Sequence, residues 1–561
     1  MNNSLFISAY CKQEQYFVDI KTFIIINIYQ LAGPCPLQLK LKILKKEPIN
    51  KTNYISLSLA EINFEIITTT NSELTSLSKW PIILINNNYV VSGLCSVARQ
   101  ICKLSKNSNV QQLLGFREAC LVACAESSIW TKFCEIDIPN TIEKLISNDF
   151  VSNNSFTLPH DVLKYENHLS QPVRIHNIFK IARDTQNDQS IKSSTARKEL
   201  RVLHDYAEGP YITLSDVILF ACFEIIFKYC QNISIESKIP LTMEWFNRQN
   251  SKIISFSLPI PLPKLENIII VPEINNVSLY NADPTRIVST KHTKQYKIES
   301  ALDLLKTSNI KNNNLPFRYD IEFNWNCIPL EANPQGGALP AKRANRKCEQ
   351  LENLIKATIA VVGNKTYKIV DFCSGSGHLG ILIALVLPKC EIILVENKER
   401  SLARARETIT KLNLNNIIIV QSNLDYFVGT FDLGLALHAC GVATDLVLQM
   451  CIKNKADFVC CPCCYGGIKQ CHEVSYPRSE NFKNVFDKAE EQYFNLAHAA
   501  DQTHDPENLK TKQGYFCMDV IDTDRQLYAQ PYGYEVHLGK LQPVTCTNKN
   551  NLLVGVYNKI D

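Results

Sequence analysis

At 561 residues the chain is too long for a single hydrophobic core, and its length predicts about three or four domains. Hydrophobic residues at 45% and charged residues at 20% make it ordinary globular material. Lys plus Arg exceed Asp plus Glu by 59 − 55 = +4, a mild balance that neither demands nor excludes nucleic acid, so any such signal has to be local.

The 22 cysteines lie in a large chain, and Cys102, Cys120, Cys124, Cys222 and Cys230 fall within helix-like apolar patterns. They read as buried free thiols of a reducing compartment. Met1 to Gln30 lacks a basic stretch followed by a clean apolar core and a cleavage site, and Phe23 to Ile26 is too short to span a bilayer. A cytoplasmic location without a membrane partner is expected.

Taken in order, residues 22–30 read as a buried strand, residues 31–36 as a turn and residues 37–45 as a helix start. Residues 81–85 and 89–91 read as a strand pair about an Asn86-Asn87-Asn88 turn, and residues 92–104 as a helix capped by Ser92. This series resembles the thioredoxin-like half of a glutathione transferase, which implies a domain over 1–105 with Pro81 at the family's cis-proline position. The family's acidic-Ser pair, which holds the γ-glutamyl group, is Val91-Ser92 here, so the carboxylate is missing. Cys35 reads as lying at a strand-to-helix turn, where a helix N-terminus lowers a thiol pKa. A structural thiol is the preferred reading over a reactive one.

Residues 113–135 carry apolar side chains at helical spacing, with Glu126 and Trp130 four apart on one face. Another helix is predicted over 217–229, opened by Thr213 and Asp216 as a capping-box-like pair, with Ile212 and Val217 as a hydrophobic staple. The opening resembles the C-terminal domain of glutathione transferases and implies an all-helical domain over 106–250, with Trp245 packed against the bundle. Residues 251–335 are assigned to a linker or extended arm, ordered where Phe317, Phe323 and Trp325 find a surface.

Next come Lys342, Arg343, Arg346 and Lys347, four cations in six residues. Two readings stand for them: contacts to RNA phosphates, weakened by salt, or the solvated start of a helix. Residues 350–362 are predicted to be the helix that precedes a sheet.

The stretch with the strongest local signal is KIVDFCSGSGHLG, residues 368–380. A short apolar run reaches Asp371, turns through Cys373-Ser374-Gly375-Ser376-Gly377 and enters a long apolar run, which predicts strand, tight turn and helix. A second strand ends in Glu396, placed to accept hydrogen bonds from a ribose diol. A third ends at Ser422-Asn423, where a polar group meets an adenine edge. A fourth ends at His438-Ala439-Cys440-Gly441, and a fifth runs into Cys460-Cys461-Pro462-Cys463-Cys464-Tyr465-Gly466. Each polar or glycine-rich cluster falls at a predicted strand end, so one site is implied.

This pattern resembles a class I S-adenosylmethionine (SAM) dependent methyltransferase. VDFCSGSGHLG, ILVEN, LALHACGVATD and CCPCCYG resemble, more narrowly, a methyltransferase family that includes RNA-modifying enzymes. With its N-terminal half, the chain resembles the glutathione S-transferase C-terminal domain-containing family. The implied fold is α/β: a thioredoxin-like and α-helical module, then a Rossmann-like methyltransferase domain over 336–561 whose parallel sheet is closed by an antiparallel hairpin near Val536 to Leu538 and Leu552 to Tyr557. An amphipathic helix is predicted over 480–500. Cofactor contacts are assigned to Asp371, Cys373, Gly375, Gly377, Glu396, Asn423 and His438.

Methyl transfer requires alignment and, for a protonated nucleophile, a base. His438 is the candidate base, with orientation of the cofactor or turn as the plainer reading; Asp445 reads as a helix-capping acid. The cysteine cluster has three readings. The preferred one is a tight Pro turn at a substrate mouth, with Tyr465 stacking on a flat substrate and no metal. The second is a metal site from the Cys460/Cys463 and Cys461/Cys464 spacings, joined by Cys471 or His472. The third is a Cys463 thiolate resembling that of cytosine-5 methyltransferases. The function expected is SAM-dependent methylation of RNA, with the first module serving recognition, homodimerisation or a partner protein. A SAM-binding scaffold and a glutathione transferase are the competing classes.

Overall fold

A computed structural model describes residues 3–558 except 14, 46–53, 60–61, 68–72, 123–128, 153–154, 176, 250–252, 259–267, 275–278, 281–293, 309, 311–314, 472 and 504–506. The chain divides into two compact units, Met1–Pro284 and Thr285–Asp561.

In the first unit, β1 (Asn3–Lys12), α1 (Ile20–Ala32) and β2 (Leu37–Ile43) form a parallel crossover, β1 pairing with β2 from Asn3↔Leu37 to Ala9↔Ile43. The hairpin of β3 (Ile82–Ile85) and β4 (Tyr89–Ser92) adds antiparallel to β1 and leads into α2 (Leu94–Leu104). The order β2-β1-β3-β4 is thioredoxin-like, and the Trp80–Pro81 peptide is cis. Two sequence readings change here. The run read as a strand over 22–30 is α1, capped by Asp19, whose carboxylate accepts from the Thr22 N–H at 2.7 Å. Ile20, Phe23, Ile24, Ile25, Ile26 and Ile28 are all buried, so the helix has no polar face to reveal a 3.6-residue period. The run read as a helix over 37–45 is strand β2, where Leu37, Leu39 and Leu41 are buried while Gln38 and Lys40 are not, the period-2 alternation of a pleat.

Cys35 therefore follows the C-terminal end of α1 instead of facing a helix N-terminus, and burial pushes its thiol up to about 11. Ser92 ends β4 and donates its hydroxyl to the Lys79 carbonyl, leaving Gly93 as the cap of α2.

The helical part includes α3 (Ile138–Ile146), α4 (His160–Leu169), α5 (Leu214–Tyr229) and α6 (Pro240–Asn247). Thr213 and Asp216 form the capping box of α5. Asp216 also accepts from the Ala207 N–H at 2.7 Å and the Trp245 indole N–H at 2.9 Å. The Glu126 half of the predicted Glu126 and Trp130 pair lies outside the described residues, while Trp130 stacks on His168 and donates to Glu208.

The second unit starts within the expected arm. Helix α7 (Gln295–Thr307) buries Ile298, Ala301, Leu302 and Leu305, an i, i+3, i+4, i+7 stripe, in a core shared with Phe482, Leu496 and Ile521. Phe317 packs edge-on against His537, and the Trp325 indole donates to Glu352. Then come α8 (Ala341–Val362), β5 (Lys368–Phe372), α9 (His378–Val386), β6 (Glu391–Glu396), α10 (Glu399–Lys411), β7 (Ile417–Gln421), β8 (Leu433–Cys440), α11 (Val442–Asn454) and β9 (Asp457–Cys463). The chain closes with α12 (Ala489–Ala500), α13 (Leu509–Ala529), β10 (Tyr534–Lys540) and β11 (Asn551–Tyr557).

Sheet order is β7-β6-β5-β8-β9-β11-β10, parallel from β7 to β9 and closed by the antiparallel β11 and β10. Strand order reverses between β5 and β8, the crevice in which open α/β sheets bind ligands. The helix predicted over 480–500 is interrupted: Glu480–Lys483 forms one turn and α12 begins at Ala489. Helix α13 gives little sequence signal because its buried side includes Asp522, Asp524, Arg525 and Gln526. Among the described residues no helix is long and apolar enough to cross a membrane.

Candidate functional site

The β5-α9 junction turns through residues with positive φ: Cys373 at +54°, Gly375 at +56° and Gly377 at +73°. A Cβ built on Gly375 would meet no heavy atom within 4 Å, so the turn faces open space. One on Gly380 would stand 2.3 Å from a Leu394 methyl, which is why α9 can lie close against β6. Gly377 caps α9 without a side-chain hydrogen bond of its own; in the first turn the Gly380 N–H goes to Asp371.

Two carboxylates hold this turn. Buried Asp371 accepts from the Gly380 N–H at 2.9 Å, and its pKa is raised to about 7, first by burial, with the charge of Glu396 adding to the rise. Glu396 accepts from the N–H groups of Gly375, Asn397 and Lys398, each at 2.9 Å. Asn423, at the tip of β7, accepts from the Asn397 amide at 2.9 Å, which links the second and third strand ends. The predicted cofactor residues of β5, β6 and β7 thus meet at one edge of the sheet.

His438, with φ +68°, sits at an irregularity in β8, where the register shifts between Leu437 and Cys440. Its Nε2 lies 2.9 Å from Oε1 of Gln350, whose own amide nitrogen donates to the Cys546 carbonyl at 2.8 Å. Gln350 Oε1 can only accept, so Nε2 carries the proton and Nδ1 keeps its lone pair. Crowding by protein atoms lowers the His438 pKa, and Lys347 lowers it further although the ring keeps an exposed edge. His378, at the start of α9, falls to about 4 through burial and the same lysine.

Lys347 is half-buried, whereas Lys342, Arg343 and Arg346 are exposed on the first two turns of α8. Ala344, Cys348 and Leu351 face the core, so the helix points Lys342 and Arg343 to solvent, lets the exposed Arg346 donate from Nε to the Cys546 carbonyl at 3.3 Å, and brings Lys347 toward His378 and His438.

The cysteine cluster differs from each pairing suggested by its spacing. Cys460 and Cys461 are buried on opposite faces of β9; burial raises the Cys460 thiol to about 12 and also raises Cys461, whose Sγ donates to the Lys549 carbonyl. The sulfurs that converge are those of Cys440, Cys463 and Cys464, all within 4.8 Å of one another. Cys440 Sγ and Cys463 Sγ are 3.3 Å apart. Hydrogen bonds from the other two thiols lower the Cys440 pKa, and the same contacts to Cys440 raise Cys463 and Cys464. Of the three thiols it is Cys440, not the Cys463 of the third reading, that its neighbours favour as the thiolate; the β8 irregularity that brings it there is absent from any sequence pattern. Cys471 packs at the edge of the α12 and α13 core, and His472 lies outside the described residues.

Tyr465 is fully buried and donates its hydroxyl to Asp522 at 2.6 Å, so it supports the site from beneath instead of stacking at its mouth. Its neighbour in that layer is an ion-pair cluster. Arg525 makes a bidentate contact with Asp445 at 2.9 and 2.8 Å and a third bond with Asp522 at 2.9 Å. Asp445 is thus the buried partner of an arginine.

A family model described as a methyltransferase domain matches residues 343–471. A Drosophila melanogaster protein named glutathione S-transferase C-terminal domain-containing protein homolog is 39% identical over 510 residues, covering 86% of this chain and 85% of its own. The human glutathione S-transferase C-terminal domain-containing protein is 33% identical over 557 residues, covering 84% of each. Among solved structures, magnesium protoporphyrin IX methyltransferase from Synechocystis PCC 6803 with bound SAM is 11% identical, with a TM-score of 0.25 over 49% of this chain and 98% of that one. The second unit carries a methyltransferase domain, and the open Gly375 turn with the Glu396 carboxylate fits its cofactor, S-adenosylmethionine. By identity over most of its length, the chain belongs to the glutathione S-transferase C-terminal domain-containing protein family.

Proposed function

We propose that the protein methylates RNA, using S-adenosylmethionine as donor. The observation that carries the substrate class is the cation ridge of α8. Lys342 with Arg346, and Arg343 with Lys347, are like charges at i, i+4, standing at a helix N-terminus whose first turn holds no acid. Both features disfavour the helix; Arg346 also donates from Nε to the Cys546 carbonyl at 3.3 Å, but helix stability gives no reason for Lys342 and Arg343, whereas a phosphate backbone does.

When bound, S-adenosylmethionine supplies an electrophilic methyl carbon on a sulfonium. The turn of Asp371, Cys373, Gly375 and Gly377, with Glu396 and Asn423, holds the donor. His438 takes the proton of the substrate nucleophile on Nδ1, its ring fixed through Nε2 by Gln350. Gln350 lies on α8, so the helix that carries the cations also orients the base. Cys463 acts through its contact with Cys440 at the neighbouring strand tip. The thioredoxin-like and helical module serves recognition or self-association, in line with Val91 standing where glutathione transferases carry an acid. Free thiols at every described cysteine suit the reducing cytoplasm.

The test is transfer of labelled methyl from SAM into total cell extract by the wild type and by Gly375→Arg. Label that ribonuclease releases, and that the variant does not produce, is the expected result. Label removed only by protease would discard RNA and keep the reaction. Bound SAM with no transfer would favour a scaffold.

A further inference from the structure

We propose that Cys440, Cys463 and Cys464 form a binding site for a soft divalent cation of the Zn²⁺ class, with one coordination position open at the carboxyl edge of the sheet. Sulfurs held tetrahedrally at about 2.3 Å from such an ion stand about 3.8 Å apart. The Cys440–Cys463 separation of 3.3 Å and the 4.8 Å limit on the set bracket that value. Small side-chain rotations bring all three into place. Among the described residues, no other three His, Cys, Asp or Glu side chains bring their donor atoms together in this way.

The backbone accounts for the convergence. After the irregularity at His438, β8 resumes pairing at Cys440↔Cys463, so the two thiols lie on neighbouring strand ends. Cys464 follows with φ +50°, a left-handed conformation that turns the next thiol back toward the same point. Left-handed non-glycine residues thus flank Cys440 and Cys463 where a regular strand end would splay the sulfurs apart.

Cys463 is buried, whereas Cys440 and Cys464 are exposed. An ion held there reaches solvent on one side, as in zinc sites that keep a position for water or substrate, unlike closed structural sites. On binding, each ligand that still carries its thiol proton releases it to solvent, and all three sulfurs bind the ion as thiolates. The site is separate from the glycine turn of the donor pocket, and its occupancy is measured without turnover.

The full chain, purified under reducing conditions without chelator, is analysed for metal and titrated with Zn²⁺ and Co²⁺. The expected result is one equivalent per chain, thiolate-to-Co²⁺ charge transfer and the visible bands of tetrahedral Co²⁺. Cys440→Ser and Cys464→Ser, both at exposed side chains, are expected to weaken binding at least about tenfold, while Cys327→Ser, an exposed cysteine outside the cluster, leaves it unchanged. Circular dichroism and thermal unfolding confirm that each variant is folded. A wild type that binds no more metal than the folded Cys440→Ser protein, or an equal loss in Cys327→Ser, overturns the proposal.

Discussion

Both units contain a parallel strand-helix-strand crossover, and the two crossovers differ in the residue that stands at the helix cap. In β1-α1-β2 the chain closes it with its own Asp19 carboxylate on the Thr22 N–H. In β5-α9-β6 Gly377 stands at the cap without a side chain, Asp371 at the end of β5 takes the Gly380 N–H of the first turn from behind, Glu396 takes the Gly375 N–H, and the turn before the cap faces open space. A side chain at the cap itself fills the space in front of a helix N-terminus, whereas a glycine cap beside a tight turn leaves room there for a ligand.

The largest effect that tests this contrast concerns Asp371. Its pKa is raised from 3.8 to about 7, so the folded state favours the neutral acid. The associated stability is fully present below pH 4 and is lost as pH rises through about 7, a change of about 4 kcal/mol. Asp371→Asn keeps an acceptor for the Gly380 N–H and cannot ionise. In ligand-free protein its unfolding free energy is expected to fall less than that of the wild type between pH 4 and 7, as measured by urea titration. Equal pH slopes would mean that Asp371 is charged in the fold.

Breaking the other cap should have a smaller and purely structural effect. Asp19→Ala is expected to lower stability by about 1 kcal/mol and to leave SAM affinity unchanged in equilibrium binding. A change in affinity would end the division of roles between the crossovers.

The difference in legibility has the same origin. The tight β5-α9 turn and the polar strand tips at Glu396 and Asn423 were legible as geometry because a sharp strand-to-helix turn with positive φ requires glycine at fixed places. Helix α1 was not, because burial on all sides erases its period. Strand β2 was misread because lysines between leucines resemble a polar helix face until Cβ directions are known. Tyr465 belonged to the right cluster and the wrong side of it: a sequence places the residue at a strand tip, and only packing shows that Asp522 holds it inward. Cys440 depended on a strand irregularity that no periodicity records.

The smallest effect concerns the α8 cations. Replacing Lys342 and Arg343 by Gln should flatten the salt dependence of RNA binding, lowering the log–log slope by about 1.4 for two single-strand phosphate contacts. The helix itself should gain a few tenths of a kcal/mol from loss of like-charge pairs. Unchanged slope with improved stability would return these residues to the solvated-helix reading.

Helix α7 has a practical consequence for dissecting the molecule. The recognisable domain begins at residue 343, yet Ile298, Ala301, Leu302 and Leu305 complete a core with residues far downstream. A fragment cut at the recognisable boundary would bare an oily seam along α12 and invite self-association. Precipitation or inactivity of such a fragment would report the missing lid on its core and say nothing of what the full chain does. The smallest autonomous piece must begin before Gln295.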